Sequence, residues 1–229
     1  MSSTLRSVLL ASALFSTQAA ATEFSFISGN PADAFGNSYS QTVDGLTITA
    51  SAWSTTGHGN RYQTAELEIF SGYGMGVCNR DEGLDCSSSG NQHALDNSGA
   101  DDLILFSFSS AVQLGQLSLQ QFGGDSDLSL WAGSGSLNLE GQKTNNLGWA
   151  MAVTNSSRVD NIKTVNLSGF SGSYDWLAVS ARVSQLNDFA KLRALQVEAV
   201  TSPVPEAGNW SMLLAGLGLV GFAVRRRIR

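Results

Sequence analysis

The sequence predicts an all-β protein whose body is a single, jelly-roll-like β-sandwich, with an apolar segment at each end of the chain. Apolar and polar residues alternate in "GLTITASAW" (45–53) and "TAELEIF" (64–70), the pattern of half-buried strands. Clusters of Gly, Ser, Asn and Asp, such as "GGDSD" and "AGSGS", separate such runs and are typical of turns. Short strands at this spacing favour a sandwich over a repeat architecture.

The first 21 residues have the three-part layout of a secretory signal peptide. Arg6 precedes an apolar run over residues 8–15, and small residues at Ala19 and Ala21 follow it. Cleavage after Ala21 would leave Thr22 as the first residue, and cleavage after Ala19 is the alternative. The sequence therefore predicts export from the cytoplasm, with a folded body over residues 22–203.

The further predicted strands of the body cover residues 103–108, 112–119, 128–131, 137–139, 149–153, 164–167, 176–181 and 192–200. Two of these strands change the parity of their apolar residues, the first around Gly115 and the second between Ala194 and Leu195. A β-bulge in each strand would return the later apolar residues to the core face. The one helix that the pattern predicts lies in the C-terminal segment.

The body is strongly acidic. Residues 22–203 carry 18 Asp and Glu against 8 Lys and Arg, a net charge of −10, compared with −6 for the whole chain. Such a surface repels nucleic-acid phosphates and attracts cations, so the charge excludes a nucleic-acid-binding function. An anionic polysaccharide would need bridging cations or neutral contacts to bind here.

Cys78 and Cys86 lie in the polar stretch "GVCNRDEGLDC". The even count and the predicted export favour a disulfide between them, which would contribute roughly 2 to 3 kcal/mol by closing this small loop. A metal pair and a reactive thiol are the alternatives. His93 is the one histidine within reach, which leaves a zinc site incomplete.

Six oxygen-bearing side chains on two loops form a candidate cation site. "HALDNSGADD" leads into one predicted strand and "GGDSDLSL" into another, so the loops are expected at the same end of the sandwich. Asp and Asn oxygens are ligands that calcium prefers, although the spacing is not that of an EF-hand and the same residues form ordinary turns. The candidate calcium ligands are Asp96, Asn97, Asp101, Asp102, Asp125 and Asp127.

Catalytic motifs are missing from the sequence. It contains no G-x-S-x-G or H-E-x-x-H motif, and His58 and His93 are its two histidines. Glu66 and Glu68 alternate with Leu67 and are interpreted as solvent-facing carboxylates rather than as a glycosidase pair. We therefore do not expect an enzyme, and a secreted hydrolase is the least favoured function.

Tryptophans offer a different binding chemistry. A row of exposed indole rings on one sheet face would favour a carbohydrate-binding module, whereas a tryptophan in a strand more often belongs to the core. The candidate glycan-binding residues are Trp53, Trp131, Trp149 and Trp176.

The C-terminal segment, residues 204–229, differs from the body. Residues 207–224 carry no charge and would form a transmembrane helix of roughly 27 Å, just short of a bilayer core of roughly 30 Å. This length suits a temporary span better than a permanent one. The basic tail, residues 225–229, would stay on the cytoplasmic side of the membrane.

A Val-Pro-Glu step, an apolar helix and an arginine cluster follow one another in this segment. The residues concerned are Val204, Pro205, Glu206, Arg225, Arg226 and Arg227. This order resembles the PEP-CTERM sorting signal of Gram-negative bacteria, which exosortases recognise, except that Ala207 stands where a second proline is usual. The resemblance implies that a membrane-embedded exosortase cuts near Pro205 and discards the helix and the basic tail. The body would then pass to the cell surface or to an extracellular polysaccharide matrix.

These observations favour an exported surface or matrix protein of structural or interaction type. A carbohydrate-binding module for exopolysaccharide is the alternative. The expected partners are the exosortase, the inner membrane before processing, and extracellular polysaccharide.

Overall fold

The computed structural model describes residues 20–55, 60–81, 93–121, 125–148, 150–154, 161–200 and 207–227. The strands, in chain order, are β1 (Ala21–Ser25), β2 (Ser38–Val43), β3 (Leu46–Ser54), β4 (Gln63–Thr64), β5 (Glu66–Phe70), β6 (Gly74–Cys78), β7 (Leu95–Asp96), β8 (Asp102–Gln121), β9 (Leu128–Gly133), β10 (Met151–Val153), β11 (Ile162–Asn166), β12 (Tyr174–Ala181) and β13 (Phe189–Ala199). A 3-10 helix covers Thr144–Leu147, and the α-helix α1 covers Ala207–Arg227. The all-β prediction for the body is confirmed.

The thirteen strands belong to one hydrogen-bonded sheet, and the 20-residue strand β8 runs through its centre. Residues 102–108 of β8 pair with β3 on one side, and residues 103–107 pair with β12 on the other. Residues 112–121 pair with β13, and residues 116–120 pair with β11. We call β2, β3, β9, β10 and β12 with the first half of β8 the first arm, and β1, β11 and β13 with its second half the second arm.

The two arms pack against each other through their apolar faces. Phe26, which continues β1, stacks on Phe106 of β8 with 5.3 Å between the ring centroids. Ile48 of the first arm and Leu117 and Leu195 of the second arm belong to the same buried cluster. The structure differs from the predicted jelly-roll-like sandwich, since the described strands form one large antiparallel sheet. The reason is the length of β8, which contributes to both arms.

Both predicted bulges are present. The ladder between β8 and β13 shifts register twice, with Gly115 of β8 and Arg193 of β13 as the extra residues. Leu114 and Leu117, on either side of Gly115, are therefore both buried. A side chain at Gly115 would place its Cβ 3.0 Å from the carbonyl oxygen of Gln196, which explains the glycine at this position.

A second apolar cluster covers the outer face of the first arm. Tyr62, Leu103, Trp131 and Ala178 are buried there together with Leu139. Leu139 belongs to residues 134–143, which cross the sheet as irregular structure where a strand over 137–139 was predicted. Because this segment covers the outer face, β8 is buried on both faces over residues 102–106.

The two ends of the body lie next to the predicted signal peptide and the C-terminal segment. Strand β1 begins at Ala21, the last residue of the predicted signal peptide, and Thr22 is already buried. Residues 1–19 lie outside the described part, so the signal peptide stays a prediction. At the other end, the chain divides into two compact units between Ala199 and Val200, and α1 belongs to the second unit.

Candidate functional site

Three carboxylates come together where β9 and β13 begin. Asp125 and Asp127 precede β9, and Asp188 immediately precedes β13. One oxygen atom from each of the three lies within 4.8 Å of the other two. Asp127 and Asp188 are buried, and Asp125 is half-buried. Carboxylate oxygens at this separation are able to share one cation.

Backbone hydrogen bonds fix the cluster. Asp125 and Asp188 form an isolated parallel bridge, in which the backbone nitrogen of Asp125 donates to the carbonyl oxygen of Asn187 at 3.2 Å. The carboxylate of Asp188 accepts hydrogen bonds from the backbone nitrogen of Asp127 at 3.0 Å and from Nδ2 of Asn97 at 2.7 Å. Oδ1 of Asn97 accepts in turn from the backbone nitrogen of Asp188 at 2.9 Å. The position of Asp188 is therefore set from two sides.

The charge of the cluster is only partly balanced. Nη1 of Arg182 lies 3.3 Å from Oδ2 of Asp127, and this is the ion pair found among the described residues. Burial raises the pKa of Asp188 above its usual range, because desolvation disfavours the charged carboxylate. The hydrogen bonds from Asn97 and Asp127 oppose this shift, and the charges of Asp127 and Asp125 add to it. One guanidinium against three carboxylates leaves an excess of negative charge.

Two of the predicted calcium ligands lie beside the cluster. Asn97 contacts it directly, through Asp188. Asp96 of β7 lies opposite Phe189 of β13, and its carboxylate accepts a hydrogen bond from the backbone nitrogen of Ser98 at 2.8 Å. The loop before β8 thus contributes Asn97 as a side chain that positions Asp188, and Asp96 caps its own turn.

Asp101 and Asp102, two further candidate calcium ligands, do not belong to the cluster. The backbone nitrogen of Asp101 donates to Oγ1 of Thr55 at 2.9 Å. Asp102 lies opposite Ser54 in β3, and its carbonyl oxygen accepts from Oγ of Ser180 at 2.6 Å. Strand β8 begins at Asp102, so the ladder with its neighbours, rather than the loop, determines where this pair lies.

Of the four candidate glycan-binding tryptophans, three lie in the described part of the chain, and one of these is buried. Trp131 is 2% exposed in the second apolar cluster, and its Nε1 donates to the carbonyl oxygen of Gly148 at 3.3 Å. Trp53 and Trp176 pack against the same cluster and are half-buried. Trp149 lies outside the described residues. Burial of Trp131 withdraws this indole ring from stacking on a sugar.

The side chains of Cys78 and His93 contact each other in the interior of the body. Cys78 is fully buried, with its Sγ 3.9 Å from Nδ1 of His93. His93 is itself buried, and its ring stacks on Phe70 with 5.7 Å between the centroids. No free cysteine occurs in the described part of the chain. Cys86 lies outside that part, so the disulfide stays a prediction.

The helix α1 ends in the arginine cluster. Arg225, Arg226 and Arg227 form its last turn, where positive charge interacts favourably with the helix dipole. Apolar side chains such as Leu214 and Phe222 are exposed along it. Over the residues that the structure describes, no helix has the length and apolar character needed to cross a membrane. The predicted transmembrane helix over residues 207–224 is therefore not confirmed.

Comparison with known proteins identifies the sorting segment. A family model described as the PEP-CTERM protein-sorting motif matches residues 203–227. No curated protein and no solved structure matches the chain. The matched range contains both the Val-Pro-Glu step, which lies outside the described residues, and the arginine cluster. The chain thus carries a PEP-CTERM sorting motif and is a protein targeted for exosortase-dependent sorting to the cell surface.

Proposed function

We propose that this protein is a structural or interaction component of the cell surface or extracellular matrix, and not an enzyme. The sorting motif at residues 203–227 carries the proposal. A chain sorted to the surface performs its function outside the cytoplasm, and the folded part available for that function is the acidic, sheet-rich body.

The described residues support a non-catalytic role. His93 is buried against Cys78 and Phe70, so it does not present a base to solvent. Glu66, interpreted from the sequence as solvent-facing, is 1% exposed, and Glu68 is half-buried. Glu66 is therefore withdrawn from solvent, which does not suit a carboxylate pair acting on a sugar.

The proposed route to the surface has three steps. The signal peptide, residues 1–21, exports the chain, and the uncharged residues 207–224 then hold the precursor in the inner membrane with the arginines on the cytoplasmic side. The exosortase cuts near Pro205 and releases the body. The disulfide between Cys78 and Cys86 forms after export, in an oxidising compartment.

Cell fractionation tests this proposal. We expect the full chain in the surface or matrix fraction and a chain truncated after Val200 in the soluble exported fraction, because the truncated chain keeps the body but lacks the motif. Recovery of both chains in the same fraction would contradict the proposal.

We further propose that calcium stabilises the body at Asp125, Asp127 and Asp188. The three carboxylates supply hard oxygen ligands, and Asn97 holds one of them in place. Because the pKa of Asp188 is raised, the folded state binds its proton more strongly than the unfolded state does. The contribution of Asp188 to stability therefore falls as the pH rises from 3.8 toward the raised pKa. A bound cation would offset this loss at neutral pH.

Thermal unfolding with and without a chelator tests the calcium site. Extracellular calcium modules bind with Kd of about 10⁻⁴ to 10⁻³ M, so 10 mM calcium is expected to raise the Tm by roughly 3 to 10 °C. Asp188→Asn removes a ligand and is expected to abolish the shift. The matched control, Asp101→Asn, changes an acid outside the cluster and should preserve it. An equal Tm in calcium and in chelator would rule out the site.

A further inference from the structure

A polar trough crosses the outer face of the second arm. It has a volume of about 190 Å³. The residues that line it are Glu23, Gln116, Ser118, Thr164, Ala194 and Gln196. They come from four adjacent strands, β1, β13, β8 and β11, so the trough runs across the strands and not along them.

Strand register explains the shape of the trough. Glu23, Gln196 and Gln116 lie directly opposite one another in one row, and their long side chains form a wall. Three strands about 4.8 Å apart give this row a length of roughly 10 Å.

The floor is the next row on the same face. Ala194, Ser118 and Thr164, the other three lining residues, lie directly opposite one another, two residues along their strands from the first row. Their side chains are short, so the face is lower here. A row of long side chains beside a row of short ones produces a groove that an extended chain can occupy.

The two β-bulges lie on either side of the trough. The extra residue Arg193 comes immediately before Ala194, and Gly115 comes immediately before Gln116. Bulges change the direction of side chains and are frequent beside binding sites. Here they bring Gln116 opposite Gln196, and the bonded ladder between them fixes the backbone under the trough.

The chemistry of the lining selects the partner. Glu23 is the one charged side chain among the six lining residues, although the body carries a net charge of −10. Amides and hydroxyls both donate and accept hydrogen bonds, as the hydroxyl groups of a sugar do. A lipid would need an apolar lining. An anionic polymer would need a basic lining. A peptide strand would need an open sheet edge, whereas the backbone groups beneath the trough already belong to the ladder.

We propose that this trough binds a neutral polysaccharide, with Gln116 and Gln196 hydrogen-bonding to sugar hydroxyls and Ala194 and Ser118 leaving room for the ring. The proposal names a partner class for the proposed surface protein and rests on its location outside the cell. The two proposals fail separately. Cell fractionation tests the location of the protein, whereas sugar binding in solution tests the trough.

The test uses the purified full chain, from whichever cell fraction contains it, and a panel of neutral oligosaccharides built from glucose, mannose or galactose, with uronic-acid chains as a second arm. The wild-type protein should bind at least one neutral member. Gln116→Ala and Gln196→Ala should each weaken that binding about tenfold, by loss of a hydrogen bond. Ala194→Leu fills the floor and should abolish it. Melting curves establish that each variant is folded.

Gln113→Ala is the matched control, since Gln113 is an exposed glutamine on the same strand outside the trough. Its binding should equal that of the wild type. Three results would each overturn the proposal. They are binding of the wild type to none of the neutral chains, binding to uronic-acid chains alone, and wild-type affinity in a folded Ala194→Leu variant.

Discussion

A triple substitution of Arg225, Arg226 and Arg227 by alanine is expected to remove most of the protein from the cell surface. The three arginines form the last turn of α1 inside the matched sorting motif. Under the proposed route they hold the tail on the cytoplasmic side, and moving one positive charge across the membrane is worth about 2.3 kcal/mol per 100 mV. Surface labelling of intact cells, compared with total protein, measures the loss.

The control keeps the charge. Replacing the same three residues with lysine preserves three positive charges at the same positions, so surface labelling should largely persist. Wild-type labelling of the triple alanine variant would show that the arginine cluster is not needed for sorting.

Gly76→Ala is expected to destabilise the body by about 3 kcal/mol or more. Gly76 lies in β6, and a Cβ built there would be 1.9 Å from the carbonyl oxygen of His93. The carbonyl oxygen belongs to the backbone, so it cannot rotate away as a side chain would. Overpacking of this kind therefore costs a free energy of unfolding at the upper end of the usual range. His93 already has φ of +93° and stacks on Phe70, so it has little freedom to move. Denaturant unfolding followed by fluorescence measures the change.

Gly72→Asn is the matched control for this substitution. Gly72 lies in the turn before β6 with φ of +78°, and nothing lies within 4 Å of a Cβ built there. Asparagine tolerates this backbone conformation, so the unfolding free energy should change little. Equal stability of Gly76→Ala and the wild type would show that β6 and His93 are not packed as described.

Local patterns in the sequence predict much of the fold. Alternation over residues 45–53 predicts β3, and the parity changes around Gly115 and before Leu195 predict the two bulges. These signals are local because side chains alternate along a single strand. The sequence does not predict that the strands over 103–108 and 112–119 merge into β8, since the polar pair Ser109-Ser110 between them resembles a turn.

The site depends on contacts between distant residues, which sequence patterns do not specify. Asp188 joins Asp125 and Asp127 from the residue before β13, 61 residues after Asp127, and its local signal is the turn-forming pair Asn187-Asp188. The sequence also does not show that the segment containing Leu139 covers Trp131, because that contact joins separate parts of the chain. Glu66 alternates as an outward residue would, yet it is buried.

Mass analysis of the protein recovered from the surface tests the central claim most directly. The account predicts a chain that ends near Pro205, without the peptide that contains Arg225 to Arg229, and an N-terminus at Thr22 or two residues before it. Recovery of surface protein that retains the arginine cluster would contradict exosortase processing at this motif.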